Sequence, residues 1–104
     1  MARVLTQSKR HVKVEFVGVL RGITGKDEVS VELKQPKTVN EFLENLLVMF
    51  KPSLRQVLID SELNDPRPNT LILINDMEIS TLNGLKTKVA NGDTVVLIPI
   101  SHGG

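Results

Sequence analysis

Two segments near the start of the chain alternate between polar and apolar side chains. The first spans residues 11–17 and the second residues 29–33, and their apolar positions are Val12, Val14, Phe16, Val29, Val31 and Leu33. A period of two is typical of a β-strand with one buried face. Because a glycine-containing stretch at residues 22–27 separates the two segments, we predict a β-hairpin.

The next segment has the spacing of an amphipathic helix, and a capping box marks its start. The Thr38 side chain can cap the first turn, and Glu41, three residues later, can bond back to the Thr38 amide. Pro52 marks the end of the pattern. The apolar positions between them are Val39, Phe42, Leu43, Leu46, Leu47 and Phe50. We predict one helix over residues 38–50 and a further helical turn over residues 54–59.

Two segments in the second half of the chain, residues 71–74 and 94–98, are apolar without alternation. Strands that are apolar on both faces are typical of the interior of a sheet. Asn75–Asp76 predicts a turn into a short strand at residues 77–79. The remaining stretches are predicted as a surface loop at residues 60–69 and irregular structure at residues 82–89.

The order strand, strand, helix, strand, short strand, strand predicts an α+β protein with the β-grasp arrangement. We expect a mixed sheet of four to five strands, with one main helix packed on one face and the first and last strands parallel in the middle. Residues 11–100 are predicted to form this domain. We expect residues 1–10 to be a basic, disordered arm and residues 101–104 to be a flexible tail.

Composition excludes several functional classes. A chain of 104 residues allows one domain, and the lack of cysteine excludes a disulfide scaffold, a thiolate nucleophile and a cysteine zinc site. The net charge of +1 and an aromatic content of 3% argue against a surface that binds nucleic acid. The apolar runs are far shorter than the ~20 residues of a membrane span, and the first ten residues lack a signal sequence. We expect a cytoplasmic protein that binds neither nucleic acid nor membranes.

The sequence offers no catalytic motif of its own. His11 and His102 are too far apart in sequence to suggest a metal site, and no spacing typical of a nucleophile, a zinc enzyme or a phosphate-binding loop occurs. We therefore predict no catalytic residue, no metal and no bound cofactor. The informative feature is the end of the sequence, Ser101-His102-Gly103-Gly104, because two final glycines arise by chance in roughly one chain in 200.

Several motifs resemble the ubiquitin-like sulfur carriers, which include the small subunit of molybdopterin synthase, the thiamine sulfur carrier and the ubiquitin-related modifiers. The shared segments are Asn69–Asp76, which reads NTLILIND, the turn Asn91-Gly92-Asp93, and the final SHGG. Three features resemble the ubiquitin-related modifiers most closely. They are Val14-Glu15-Phe16, Arg67-Pro68 and the His-Gly-Gly at residues 102–104.

This resemblance implies that the protein is a co-substrate and not an enzyme. An activating enzyme of the ubiquitin-activating type would adenylate the Gly104 carboxylate with ATP and Mg²⁺, and a sulfur-transfer protein would convert it to a thiocarboxylate. Ser101, His102 and Gly103 would form the tail that enters the partner's active site. The thiocarboxylate would donate sulfur for tRNA thiolation, and the chain would also be joined to lysines of target proteins.

Two other functions remain open from the sequence. One is the small subunit of molybdopterin synthase, which would act with a large subunit to donate sulfur for molybdenum cofactor biosynthesis. The other is a β-grasp binding module whose final glycines form a non-reactive tail.

A docking surface is also expected, because one helix covers only one face of a sheet whose strands at 71–74 and 94–98 are apolar on both. Counting back from Gly103, we expect Val95 and Leu97 in the core. The outward residues are then predicted to be Ile72, Ile74, Val96 and Ile98. An exposed apolar patch of this kind usually marks a partner site, here for the activating enzyme.

Overall fold

A computed structural model describes residues 10–100. In it the chain forms a mixed five-stranded sheet with the main helix on one face. The strands are β1 (Val12–Phe16), β2 (Glu28–Val31), β3 (Lys37–Thr38), β4 (Thr70–Ile74), β5 (Met77–Glu78), β6 (Lys88–Val89) and β7 (Thr94–Pro99). The helices are α1 (Val19–Thr24), α2 (Val39–Leu47) and α3 (Pro52–Leu58), with 3₁₀ turns at Ile79–Thr81 and Gly84–Lys86. No helix within residues 10–100 is long and apolar enough to cross a membrane. Of the arm predicted at residues 1–10, all but Arg10 lies outside the described residues, as does the tail predicted at residues 101–104.

The sheet has the strand order β2-β1-β7-β4-β5. β1 and β7 lie side by side and parallel in its middle, with Phe16 opposite Leu97, while the other pairs are antiparallel. This confirms the predicted α+β fold of the ubiquitin-like β-grasp type. A second, two-stranded sheet pairs β3 with β6, and the sequence pattern did not predict it.

Helix α2 begins with the predicted capping box. Thr38 Oγ1 accepts a hydrogen bond from the Glu41 amide at 3.1 Å, and a Glu41 carboxylate oxygen accepts one from the Thr38 amide at 3.0 Å. The bond from the Thr38 backbone is the main cause of the lowered pKa of Glu41, since it stabilises the charged carboxylate. The helix ends at Leu47 and not at Phe50, and Pro52 is the first residue of α3. The proline therefore starts the next helix as well as limiting the previous one.

One hydrophobic core fills the space between the helices and one face of the sheet. The strands contribute Val12, Val14, Phe16, Ile72, Ile74, Val89, Val95 and Leu97, and the helices contribute Leu20, Val39, Phe42, Leu43, Leu46, Leu47, Leu54 and Leu58. The rings of Phe16 and Phe50 meet edge to face with their centroids 5.7 Å apart. This contact brings the chain that follows α2 to the end of the sheet where β1 ends.

The connection between β1 and β2 contains α1, where the sequence predicted only a turn-rich loop. Gly18, at φ 62°, precedes the helix, and Gly25, at φ 73°, caps its end in the left-handed conformation. Leu20 is fully buried and attaches α1 to the core. With only six residues, α1 is too short to show a helical period in the sequence.

Candidate functional site

The face of the sheet opposite the core carries four half-buried apolar residues on its two central antiparallel strands. In β4 and β7, Leu71 lies opposite Ile98 and Leu73 lies opposite Val96. Residues directly opposite one another in a ladder point to the same face, so these four side chains form one cluster. We call this cluster, Leu71, Leu73, Val96 and Ile98, the sheet patch. Val96 and Ile98 were predicted to face outward, and the structure places them on this face.

The outward placement predicted for Ile72 and Ile74 is wrong. Ile72 lies opposite Leu97 and Ile74 opposite Val95, and the two isoleucines are only 1% and 5% exposed. Both therefore point into the core, and Leu71 and Leu73 take their places on the open face. The segment 71–74 is apolar at every position, so its sequence does not indicate which residues face the core. The antiparallel register with β7 determines this, and that register is not visible in the sequence.

Carboxylate residues border the sheet patch on both sides. On one side Val96 lies opposite Glu15 of β1, which in turn lies opposite Glu28 of β2. On the other side Leu73 lies opposite Glu78 of β5. Lys13 partly offsets this charge, with its Nζ 3.5 Å from Glu15 and 3.7 Å from Glu28. This face therefore has an apolar centre with a mostly acidic border, to which an apolar surface flanked by basic groups would be complementary.

The chain leaves the sheet at a fixed point beyond β7. The Ile100 amide donates a hydrogen bond of 2.8 Å to the Asn69 carbonyl oxygen, immediately after Pro99 pairs with Thr70. The Asn69 side chain donates to the Val57 carbonyl oxygen, and the buried Thr70 hydroxyl donates to that of Leu58 at 3.0 Å. The last described residue is thus fastened through β4 to α3. The tail residues Ser101, His102, Gly103 and Gly104 follow it and lie outside the described residues.

Arg67 stabilises the loop that leads into β4. Its guanidinium donates to both carboxylate oxygens of Asp65, from Nη2 at 2.6 Å and from Nε at 3.0 and 3.2 Å. These side-chain bonds lower the pKa of Asp65 and raise the pKa of Arg67. Asp65 also pairs with Asp60 through the backbone, which closes the loop. The Arg67-Pro68 motif therefore has a structural role in this chain.

The turns before β5 and β7 hold β4 and β7 in register. The Asn75 side chain donates to Asp93 at 3.0 Å and accepts from the Thr94 amide at 2.9 Å. The second Asp93 oxygen accepts from the Ala90 amide at 2.8 Å. The motifs at residues 75–76 and 91–93 are therefore explained by the geometry of the strands that carry the sheet patch. Within residues 10–100, no group of three or more histidine and acidic side chains could hold a metal ion.

The fold and the position of the last strand define a small ubiquitin-like β-grasp protein. Comparison with known proteins identifies its family. The model of the ThiS family matches residues 14–104, and ubiquitin-related modifier 1 of Saccharomyces cerevisiae (strain YJM789) is 32% identical over 98 residues, which cover 90% of this chain and 98% of the relative. The chain therefore belongs to the ThiS family of ubiquitin-like sulfur carriers and modifiers, in the group of the ubiquitin-related modifiers.

Solved structures share this fold. Urm1 from Trypanosoma brucei superposes with a TM-score of 0.76 at 23% identity, covering 91% of this chain and 96% of that chain. A chain of the BexX/CysO complex of Amycolatopsis orientalis superposes with a TM-score of 0.69 at 26% identity, covering 89% of this chain and 99% of that chain. At 23% identity, the similarity to Urm1 from Trypanosoma brucei shows the fold alone.

Proposed function

We propose that this chain is a ubiquitin-related sulfur carrier and protein modifier that reacts through the carboxylate of Gly104. Family membership, together with a final strand anchored at Ile100 beside the sheet patch, is the observation that carries the proposal. The sulfur would serve tRNA thiolation, and the same activated terminus would be joined to lysines of target proteins. Similarity to a chain from a two-protein complex supports a function that depends on a partner.

The proposed chemistry needs an ionised carboxylate and an ATP-dependent partner enzyme. A free α-carboxyl is an anion at neutral pH and can attack the α-phosphorus of ATP bound with Mg²⁺ on that enzyme. An acyl adenylate forms on Gly104 and pyrophosphate leaves. A sulfide-level nucleophile delivered by a sulfur-transfer protein then attacks the acyl carbon of Gly104. The new C–S bond forms as the C–O bond to AMP breaks, so AMP leaves with that oxygen and a thiocarboxylate remains. The chain itself contributes the reacting group and the docking surface.

The length of the tail is compatible with a reaction inside the active site of a partner enzyme. Four extended residues beyond Ile100 span about 13 Å, enough to enter an active site while the sheet rests outside it. Gly103 and Gly104 have no Cβ, which suits a narrow channel and unusual backbone angles. We propose that the sheet patch contacts the activating enzyme beside that channel, with Ile98 and Leu71 nearest the start of the tail and Val96 and Leu73 further from it.

ATP–pyrophosphate exchange with the cognate activating enzyme tests the proposal. Deleting Gly104 shortens the tail by about 3.5 Å, so the carboxylate no longer reaches the α-phosphorus. Since a 1 Å misplacement already costs ~100-fold in rate, exchange should fall below detection. Adding one alanine after Gly104 should be equally damaging, because the reacting residue then carries a Cβ and sits too deep. Exchange at the wild-type rate with either variant would mean that the glycines are a non-reactive tail.

Gene deletion separates this function from that of a molybdopterin synthase small subunit. Loss of thiolated tRNA with molybdoenzyme activity intact is the expected result. Loss of molybdoenzyme activity with normal tRNA thiolation would assign the chain to molybdenum cofactor biosynthesis with a large subunit as its partner. The 32% identity to a ubiquitin-related modifier across nearly the whole chain favours the first outcome.

A further inference from the structure

A second candidate binding surface, separate from the sheet patch, lies at the end of the molecule where α2 ends. It is a groove of about 580 Å³ between the end of α1 and the link from α2 to α3. We call it the lysine groove. Its lining residues are Gly22, Ile23, Thr24, Gly25, Lys26, Val48, Met49, Phe50 and Lys51.

The lysine groove combines an anchored apolar floor with exposed apolar side chains. Ile23 and Phe50 are half-buried and pack against the core. Val48 and Met49 are 81% and 52% exposed, so most of their surface remains in contact with water. Val19 is 57% exposed and lies one helical turn before Ile23. A neighbouring group of exposed apolar side chains is typical of a surface that binds another molecule.

The lysine groove is positively charged. Lys26 and Lys51 are both exposed, and neither forms an ion pair among residues 10–100. No acidic residue among residues 10–100 lines the groove. Asp27 is next to Lys26 in sequence, but its carboxylate lies 3.8 Å from the Arg21 guanidinium. Two ammonium groups beside apolar side chains fit a ligand in which carboxylates flank apolar groups.

We propose that the lysine groove binds a peptide segment of a partner protein in which acidic residues flank apolar ones. The apolar side chains of the peptide contact Val48, Met49 and Ile23, and its carboxylates lie beside Lys26 and Lys51. The sheet patch is a different surface, with carboxylates at its border. The two surfaces therefore select partners of opposite charge, and this binding role lies beyond the proposed sulfur transfer.

Fluorescence anisotropy with the full chain tests the proposal. The probe is a short labelled peptide in which aspartates and glutamates flank leucine and phenylalanine. One control peptide replaces its acids with lysines, and another replaces its apolar residues with serines. We expect saturable binding of the probe, and binding by both control peptides that is at least roughly tenfold weaker. Absence of binding by the probe, or equal binding of the three peptides, would overturn the proposal.

Variants of the chain locate the contact. Lys26→Glu with Lys51→Glu should weaken probe binding about tenfold or more. The matched control is Lys34→Glu with Lys86→Glu, which makes the same change in net charge at two exposed lysines outside the groove. Equal weakening by both double variants would mean a general charge effect and would refute a defined site.

A second pair of variants tests the apolar half of the contact. Val48→Ser removes a groove side chain, and Leu63→Ser is its control, since Leu63 is 68% exposed and does not line the groove. Only Val48→Ser should weaken binding, and amide resonances of residues 22–26 and 48–51 should shift when the probe is added. Shifts confined to the open face of the sheet would contradict the proposal. Self-association of the chain that Lys26→Glu with Lys51→Glu abolishes would assign the groove to a second copy and also overturn it.

Discussion

Neighbouring residues of β4 should respond very differently to truncation, because the strand presents alternate faces to the core and to the open side. Ile72 is 1% exposed and lies opposite the fully buried Leu97. Leu73 is its neighbour in the chain, but it is half-buried on the open face opposite Val96. Truncating each to alanine removes a similar amount of hydrocarbon, so the difference in stability measures the difference in burial.

The expected magnitudes follow from that burial. A fully buried isoleucine replaced by alanine loses its transfer free energy and leaves a cavity, which together cost about 2–5 kcal/mol. Leu73 keeps part of its surface in water and leaves no enclosed cavity when shortened, so Leu73→Ala should cost about 1 kcal/mol or less. For a domain of this size, each kcal/mol lowers Tm by about 4–8 °C. Ile72→Ala should therefore lower Tm by roughly 10 °C or more, and Leu73→Ala by only a few degrees.

Urea unfolding followed by circular dichroism, with thermal melts as a second measurement, gives both free energies of unfolding. The two variants should share the wild-type dependence on urea, so that the midpoints can be compared directly. Equal losses for the two variants would refute the assigned register of β4 with β7. A larger loss for Leu73→Ala would mean that the strand is turned over and that Ile72 faces the partner after all.

Three further perturbations test other parts of the account. Ile98→Asp should weaken adenylation by the activating enzyme, because a charge would be desolvated in the contact. The control Ser30→Asp, on the same face but in an edge strand, should leave pyrophosphate exchange unchanged. Equal effects of the two variants would contradict a defined patch. Thr38→Ala should cost about 1 kcal/mol of unfolding free energy through loss of the helix cap, and an unchanged urea midpoint would contradict that role. Arg67→Gln should lower stability near neutral pH. Arg67 lowers the folded-state pKa of Asp65, so the ion pair adds to the free energy of unfolding above the unfolded-state pKa of Asp65, and this gain is lost as pH falls through the folded-state pKa. Thermal melts of wild type and variant should therefore converge in acid. A difference in Tm that stays constant with pH would contradict the role of the ion pair.

Local signals in the sequence predicted most of the fold, because most of its elements carry a recognisable pattern in their own residues. The alternation around Val14 predicted β1, the Thr38 capping box predicted the start of α2, and Asn75–Asp76 predicted the turn between β4 and β5. The parallel pairing of β1 with β7, which the β-grasp arrangement implied, was also correct, and it agrees with a last strand that is apolar on both faces.

The errors arose where a feature depends on contacts between distant residues. The faces of Ile72 and Ile74 depend on pairing with β7, some twenty residues later in the chain, and a run of four apolar residues is compatible with either phase. Helix α1 exists because Leu20 reaches the core, and six residues are too few for a periodic signal. The lysine groove brings together residues 22–26 and 48–51, which lie far apart in the sequence.

The intact mass of the protein purified from its own cells tests the central claim most directly. If Gly104 carries the transferable sulfur, a fraction of the molecules will be heavier by the difference between sulfur and oxygen, and fragmentation will place that difference on Gly104. Treatment with a thiol-reactive alkylating reagent should add one label to the same fragment, which is unambiguous because the chain contains no cysteine. A protein that ends only in an ordinary Gly104 carboxylate, in cells whose tRNA is fully thiolated, would contradict the account.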